Sequence, residues 1–439
     1  MKFRFDPSGW FSTLKLRLTD PDEFAQNRRY IAADTYAFNI AANLAGGSFF
    51  TGYLLLLHAD DSFLGLVTMA ALFGNFLQML APLLLNRFPR RRKLLIGARA
   101  IYLLVNIVLI GAAQFLPIPS QLVFILSATF VMNAVASLTS PGVTVWQIRS
   151  IPVSTRVRFF SFINVSVNVL MYVAILAGSR MVDVFKSQDQ EMLGLTILRG
   201  VALVVAVLDL LAMTRVREYP EPTAPAGFKA LLAPFRAPKY LVTVAVTCLW
   251  SFGANLTGPY FTAYLLQDIG IEYTVLNLVG AFGVVVMALA TPFWTRRVER
   301  MDLFKAFRMF ILFYSLHYFV IALTTKDLLL IYPLAAMYAY FMATGLNIVM
   351  ANMPFLNMPE EDRTTSIAFY AAMNSVAALF GVLVGREFVR RTTGVAVEFA
   401  GLHLGNRQLV LYVAGSVLFL SALFLKKKTP GKADGEPAA

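Results

Sequence analysis

Twelve long apolar runs dominate this chain of 439 residues, and each is about the length needed to cross a bilayer as a helix. They fall near 30–57, 62–85, 94–115, 121–141, 160–182, 195–214, 239–266, 273–294, 306–323, 328–351, 364–385 and 408–425. Inside lipid no water satisfies a backbone N–H or C=O, so a spanning segment must be a helix or part of a closed barrel. The runs are continuous rather than alternating in stretches of about ten residues, which favours helices. Composition agrees: 58% of residues are hydrophobic and only 14% are charged, with a mean hydropathy of +0.65. The fold class expected is an all-α membrane protein of twelve helices.

The net charge of +13 follows from topology. With alternating loops, one side collects 29 Lys and Arg and the other collects 8, while Arg99 lies just inside the third run. The positive-inside rule then places both termini in the cytoplasm of a multi-pass protein, expected in a bacterial inner membrane. Nucleic acid is not an expected partner. The single Cys248 excludes an internal disulfide and a cysteine metal site, and His58, His317 and His403 are scattered. No metal or cofactor is expected. No Gly-rich phosphate loop or catalytic set is present, so the chain does not read as an enzyme or an ATP-driven pump.

The chain also repeats itself. Gly47-Ser-Phe-Phe-Thr-Gly-Tyr-Leu-Leu55 returns as Gly258-Pro-Tyr-Phe-Thr-Ala-Tyr-Leu-Leu266, a shift of 211 residues. Pro82 and Arg87 recur as Pro292 and Arg297. Pro152, Arg156 and Phe162 recur as Pro359, Arg363 and Phe369, and Asn168 and Arg180 as Asn374 and Arg386. The shifts drift only from 211 to 206. Six spans per half is an even number, so the halves share one orientation, a parallel repeat. The expected division is a cytoplasmic arm (1–29), a six-helix half (30–214), a Pro-rich cytoplasmic linker (215–238), a second six-helix half (239–425) and a charged tail (426–439).

After the second span, Pro82-Leu-Leu-Leu-Asn86-Arg87-Phe-Pro89-Arg90-Arg91 resembles the signature Gly-x-x-x-Asp-Arg-x-Gly-Arg-Arg/Lys of the major facilitator superfamily. Arg87, Arg90 and Arg91 agree with it, whereas Pro82, Asn86 and Pro89 do not. The stretch from Ser140 through Trp146 to Phe160 is similar to a poorly characterised bacterial group of that superfamily. The resemblance covers residues 28 to 425. It implies a secondary active transporter, acting as a monomer, in which two halves rock about a midplane site. Spans one, four, seven and ten would line a cavity, and the signature loop with its repeat would gate it. Gating candidates are Arg87, Arg90, Arg91 and Arg297, together with the pseudo-symmetric Arg180 and Arg386.

On those four spans, polar residues recur at helical spacing. Asn39 and Asn43 share a face of the first, and Asn133 and Ser137 of the fourth. Ser251, Asn255 and Thr262 mark the seventh, and Tyr340, Thr344 and Asn347 the tenth. Amides and hydroxyls in an apolar bundle must find partners, which suits a cavity for a small polar solute. Small and polar residues also serve plain helix packing. Embedded charge is scarce. Asp34 is the proton-coupling candidate, making protons a candidate partner beside the solute and the bilayer. Asp209, near the end of the sixth span, is expected to pair with Arg215 or snorkel. The alternative function is a membrane sensor or lipid-handling protein that keeps the fold without transporting.

Overall fold

A computed structural model of the chain describes residues 24–85, 87–88, 90–218, 237–358, 363–399 and 402–428. Most of the N-terminal arm, most of the linker, the tail from 429, and Asn86 and Pro89 of the signature loop lie outside the described residues. Eleven helices among the described residues are long and apolar enough to span a membrane. The remaining span, the first, is broken in two: α1 (Ala25–Leu44) and α2 (Gly47–Leu56).

The helices α3 (Asp61–Leu77), α4 (Arg92–Leu103), α5 (Ile118–Arg149), α6 (Val153–Lys186) and α7 (Glu191–Met213) complete the first half of the sequence. The second half supplies α8 (Pro238–Asn255), α9 (Tyr273–Val298), α10 (Leu303–Ile321), α11 (Ile331–Asn352), α12 (Arg363–Arg391) and α13 (Asn406–Lys428). A short antiparallel hairpin, β1 (Ala396–Phe399) with β2 (Leu402–Gly405), joins α12 to α13. Nothing in the hydropathy pattern suggested it.

The expected fourth span stops at Pro141, but α5 continues through it to Arg149; α9 likewise contains Pro292 and ends at Val298, just past the expected 294. A proline removes one helical hydrogen bond without ending a helix that neighbours hold in place. Trp146 therefore lies on the helix; it is buried and donates its indole N–H to the Arg217 carbonyl at 2.8 Å.

The repeated nonapeptide begins each time with a left-handed glycine: φ is +54° at Gly47 and +42° at Gly258. Only glycine enters that region without crowding its own Cβ. Each glycine breaks the first span of its half, and the helix restarts at α2 in one case and at Tyr260 in the other.

Two compact units result, and each takes a short piece from the other half of the sequence. One contains residues 1–59, 73–226 and 272–277; the second contains 60–72, 227–271 and 278–439. In the first, α1 packs on α7 and α6, and α4 packs on α5. Ile31, Leu85, Leu95, Trp146, Phe159 and Met213 form part of its apolar centre. In the second, α8 lies on α12, and α10 lies between α11 and α13.

Candidate functional site

The first unit holds a cavity of about 240 Å³ bordered by α1, α4 and α5. Its wall includes Asp34, Thr35, Phe38, Asn39, Arg99, Tyr102, Ser140, Thr144 and Gln147. Asp34 is 2% exposed and accepts a hydrogen bond on Oδ2 from Gln147 Nε2 at 2.6 Å. The Arg99 guanidinium lies over the Phe38 ring, 3.6 Å from its centre. This cation–π contact takes over part of the hydration lost on burial. One Arg99 nitrogen is 3.7 Å from Asp209 Oδ2, and Asp209 is 0% exposed.

Asp209 thus departs from the expectation. It neither snorkels nor pairs with Arg215. Its α7 position faces inward onto α1, where Arg99 is the available cation. Arg199, counted from sequence among loop charges, is buried as well. It donates to the Asn106 carbonyl at 2.8 Å and lies over the Tyr53 ring. Asn106 sits in a π-helical stretch, Leu104–Leu109, where the widened turn leaves a carbonyl available to a side chain.

Of the sequence candidates, Asp34 and Asn39 share the cavity wall. The asparagine stripes turn out to be largely self-satisfied. Asn39 donates to Thr35, Asn43 to Asn39, Asn133 to Thr129 and Asn255 to Ser251, each to the carbonyl four residues earlier at 2.8–2.9 Å. Thr344 does the same to Tyr340. This back-bonding spends one N–H of each amide locally and leaves its second N–H and its oxygen on offer. Ser137 is buried, Asn347 is exposed, and Thr262 and Tyr340 are half-buried. Ser251 donates to Asn374, whose own amide donates to Thr247 and to the Tyr370 carbonyl. Asn374 therefore ties α8 to α12, a role its repeat partner Asn168, which donates to Asn164 of its own helix, does not share.

The gating candidates also separate. Arg87 and Arg90 are exposed, as are Arg180 and Arg297. Arg91 is buried and donates Nε to the carbonyls of Leu85 and Phe88, closing the turn after the second span. Arg386 donates Nε to the Ser62 hydroxyl at 2.7 Å and to its carbonyl at 3.1 Å. The adjacent Glu387 holds Arg390 and Arg391.

Sequence reading missed the strongest ionic knot. In the second unit Arg407 binds both Asp61 oxygens at 2.9 and 3.0 Å, Asp268 at 2.9 Å and Gln267 at 3.0 Å. In the first unit Asp183 accepts from the backbone N–H of Tyr273 and of Thr274, both at 2.8 Å. That places a carboxylate on the positive end of α9. Asn277 adds bonds to Ser48 and Ser179. These contacts hold the exchanged pieces of chain in their units. The signal was weak because the partners lie far apart in the chain.

The family model of the Major Facilitator Superfamily matches residues 35–382 and 244–438. The chain belongs to the major facilitator superfamily. It is a membrane transporter with an all-α, multi-pass fold. Among solved structures, a mutant of the nucleoside transporter NupG superposes with a TM-score of 0.70 at 12% identity, covering 91% of this chain and 99% of that one. A D-xylose–proton symporter gives 0.69 at 13%, covering 92% and 98%. A POT-family peptide transporter gives 0.67 at 13%, covering 94% and 99%. No curated relative matches the sequence. Likeness at such identity concerns the fold, and the cargoes named belong to those proteins.

Proposed function

We propose that the protein is a secondary active transporter that moves a small polar solute by alternating access. The observation that carries this reading is the charged cavity of the first unit. Asp34, Arg99 and Gln147 sit at a void inside a membrane-spanning bundle, where packing alone would favour apolar side chains. In a family of transporters, such a cavity suits a solute that exchanges water for fixed hydrogen-bonding groups.

The neutral stripes are the proposed solute contacts. Asn39, Asn43, Asn133 and Ser137 belong to the first unit, and Ser251, Asn255, Thr262, Tyr340, Thr344 and Asn347 to the second. Each back-bonded amide keeps one N–H and its carbonyl oxygen, which suits a polar solute with both donors and acceptors. Asp34 is the proposed proton-linked group. Both termini are assigned to the cytoplasm, in a bacterial inner membrane, by the distribution of Lys and Arg.

Solute counterflow into proteoliposomes tests the reading, with pentoses, nucleosides and dipeptides as the panel. The expected result is saturable uptake of at least one class, lost in Asn39→Ala or Asn255→Ala. Absence of uptake for the whole panel, with correctly folded protein in the vesicles, would overturn it.

A further inference from the structure

Three threonine hydroxyls on the wall of the first unit's cavity have already spent their protons. Thr35 Oγ1 donates to the Ile31 carbonyl at 2.7 Å, Thr139 Oγ1 to Val135 at 2.7 Å and Thr144 Oγ1 to Ser140 at 3.1 Å. A hydroxyl has one proton, so each of these side chains keeps only lone pairs for a guest. Asp34 adds a carboxylate, which when ionised only accepts. The hydrogen bond it receives, from Gln147 Nε2 at 2.6 Å, comes from a neutral group, and Oδ1 receives none among the described residues.

The cation on the same wall is engaged elsewhere. Arg99 lies over the Phe38 ring, 3.6 Å from its centre, and Nη1 approaches Asp209 at 3.7 Å. Among the described residues, Asp34 is thus left without a counter-ion, and a buried carboxylate in that state is costly. An ammonium group answers both features. It carries the missing positive charge, and its N–H donors match a carboxylate oxygen and the threonine lone pairs. A neutral hydroxyl solute would leave the charge of Asp34 uncompensated, and an anion would face a like charge. The rest of the wall includes Leu95, Ala98 and Val143, which suit a short aliphatic body. The volume, about 240 Å³, falls below the roughly 300–1,000 Å³ of sites for drug-sized molecules.

We propose that this cavity binds a small primary amine, with the ammonium group on the Asp34 carboxylate and the aliphatic part against Leu95, Ala98 and Val143. Its role as cargo rests on the transport reading; its binding does not. A free amine and an amino acid share the ammonium group, and the probes below separate them.

Isothermal titration of the purified full-length protein at neutral pH tests this. L-alaninamide carries the ammonium alone, and L-alanine adds a carboxylate. L-lactamide has a hydroxyl in place of the ammonium, and L-lactate has a carboxylate without it. The first two should bind, and the last two should bind about tenfold more weakly or not at all, the scale of one charge-assisted hydrogen bond. Tighter binding of L-alaninamide marks a free amine as the guest, and tighter binding of L-alanine an amino acid; either order supports the proposal. Asp34→Asn should level the four affinities, and Asp34→Glu, which keeps the charge, should keep the preference. Thermal melts separate loss of binding from loss of the fold. If Asp34→Asn does not fold, Thr144→Val removes one acceptor and should weaken L-alaninamide by about threefold while leaving L-lactate unchanged. Binding of none of the four overturns the proposal. So does L-lactamide matching L-alaninamide, or a preference that survives Asp34→Asn in a protein that melts like the wild type. Ammonium-selective binding with no counterflow of any solute would sink the transport reading alone; counterflow of a pentose or nucleoside with no amine binding would sink this assignment alone.

Discussion

Tyr53 and Tyr264, equivalent residues of the repeated nonapeptide, make the same bond in their separate units. The Tyr53 hydroxyl donates to the Ile110 carbonyl at 2.9 Å, and the Tyr264 hydroxyl to the Thr324 carbonyl at 2.9 Å. Both rings are buried. Each bond ties the restarted first span to the end of the third span of its half. The repeat therefore preserves a clasp: a left-handed glycine redirects the chain, and six residues later a tyrosine fastens it.

Tyr53→Phe and Tyr264→Phe should each lower stability by about 1 kcal/mol, the net worth of one hydrogen bond, since the Ile110 carbonyl keeps the Ala113 N–H and the Thr324 carbonyl keeps Gln408 Nε2. The double variant should lose the sum, since the two tyrosines share no partner. Thermal melts in detergent check both statements. A strongly non-additive double variant would show that the two clasps communicate.

Arg407→Asp should weaken the protein and perturb transport, because Asp61 and Asp268 are left facing a third carboxylate. Combining it with Asp61→Arg should recover part of the loss, by roughly 1–2 kcal/mol on the scale of a partly buried ion pair. The readout is melting temperature and uptake rate for the four members of the cycle. No recovery in the swapped pair would reduce Arg407 to a packing residue.

Asp183→Asn keeps the shape of the side chain and removes its charge. One amide oxygen can still accept, but one of the two N–H groups at Tyr273 and Thr274 loses its partner. A loss of about 1 kcal/mol is expected, as for other helix N-cap substitutions. Hydrogen exchange at residues 273–277 should accelerate selectively.

Gly385→Ala should abolish folded expression. A Cβ there would sit 1.9 Å from the Leu256 backbone oxygen, and neither backbone can yield without parting α12 from the end of α8. Gly97→Ala is the control, because nothing lies within 4 Å of its added Cβ. Size-exclusion profiles of the two variants decide the matter. A well-folded Gly385→Ala protein would refute the close approach.

How far the sequence carries can be read from particular residues. Membrane residence, the number of spans and the two-fold repeat were legible, because length, hydropathy and recurrence are properties of the chain itself. Asp34 was legible as a lone acid in an apolar run. Asp209 was misjudged, since its meaning depends on which way α7 is turned against α1 and α4. The asparagine stripes had the right spacing, yet one donor of each closes onto its own helix, and spacing cannot distinguish a cavity wall from back-bonding. The Arg407 knot joins residues 61, 267, 268 and 407, far apart in the chain. Sequence alone determined that this is a repeated helical membrane protein, because burial in lipid constrains each segment locally. Only the tertiary structure decided which charges meet, because the rotation and register of packed helices set side-chain partners, and neither is written into hydrophobic periodicity.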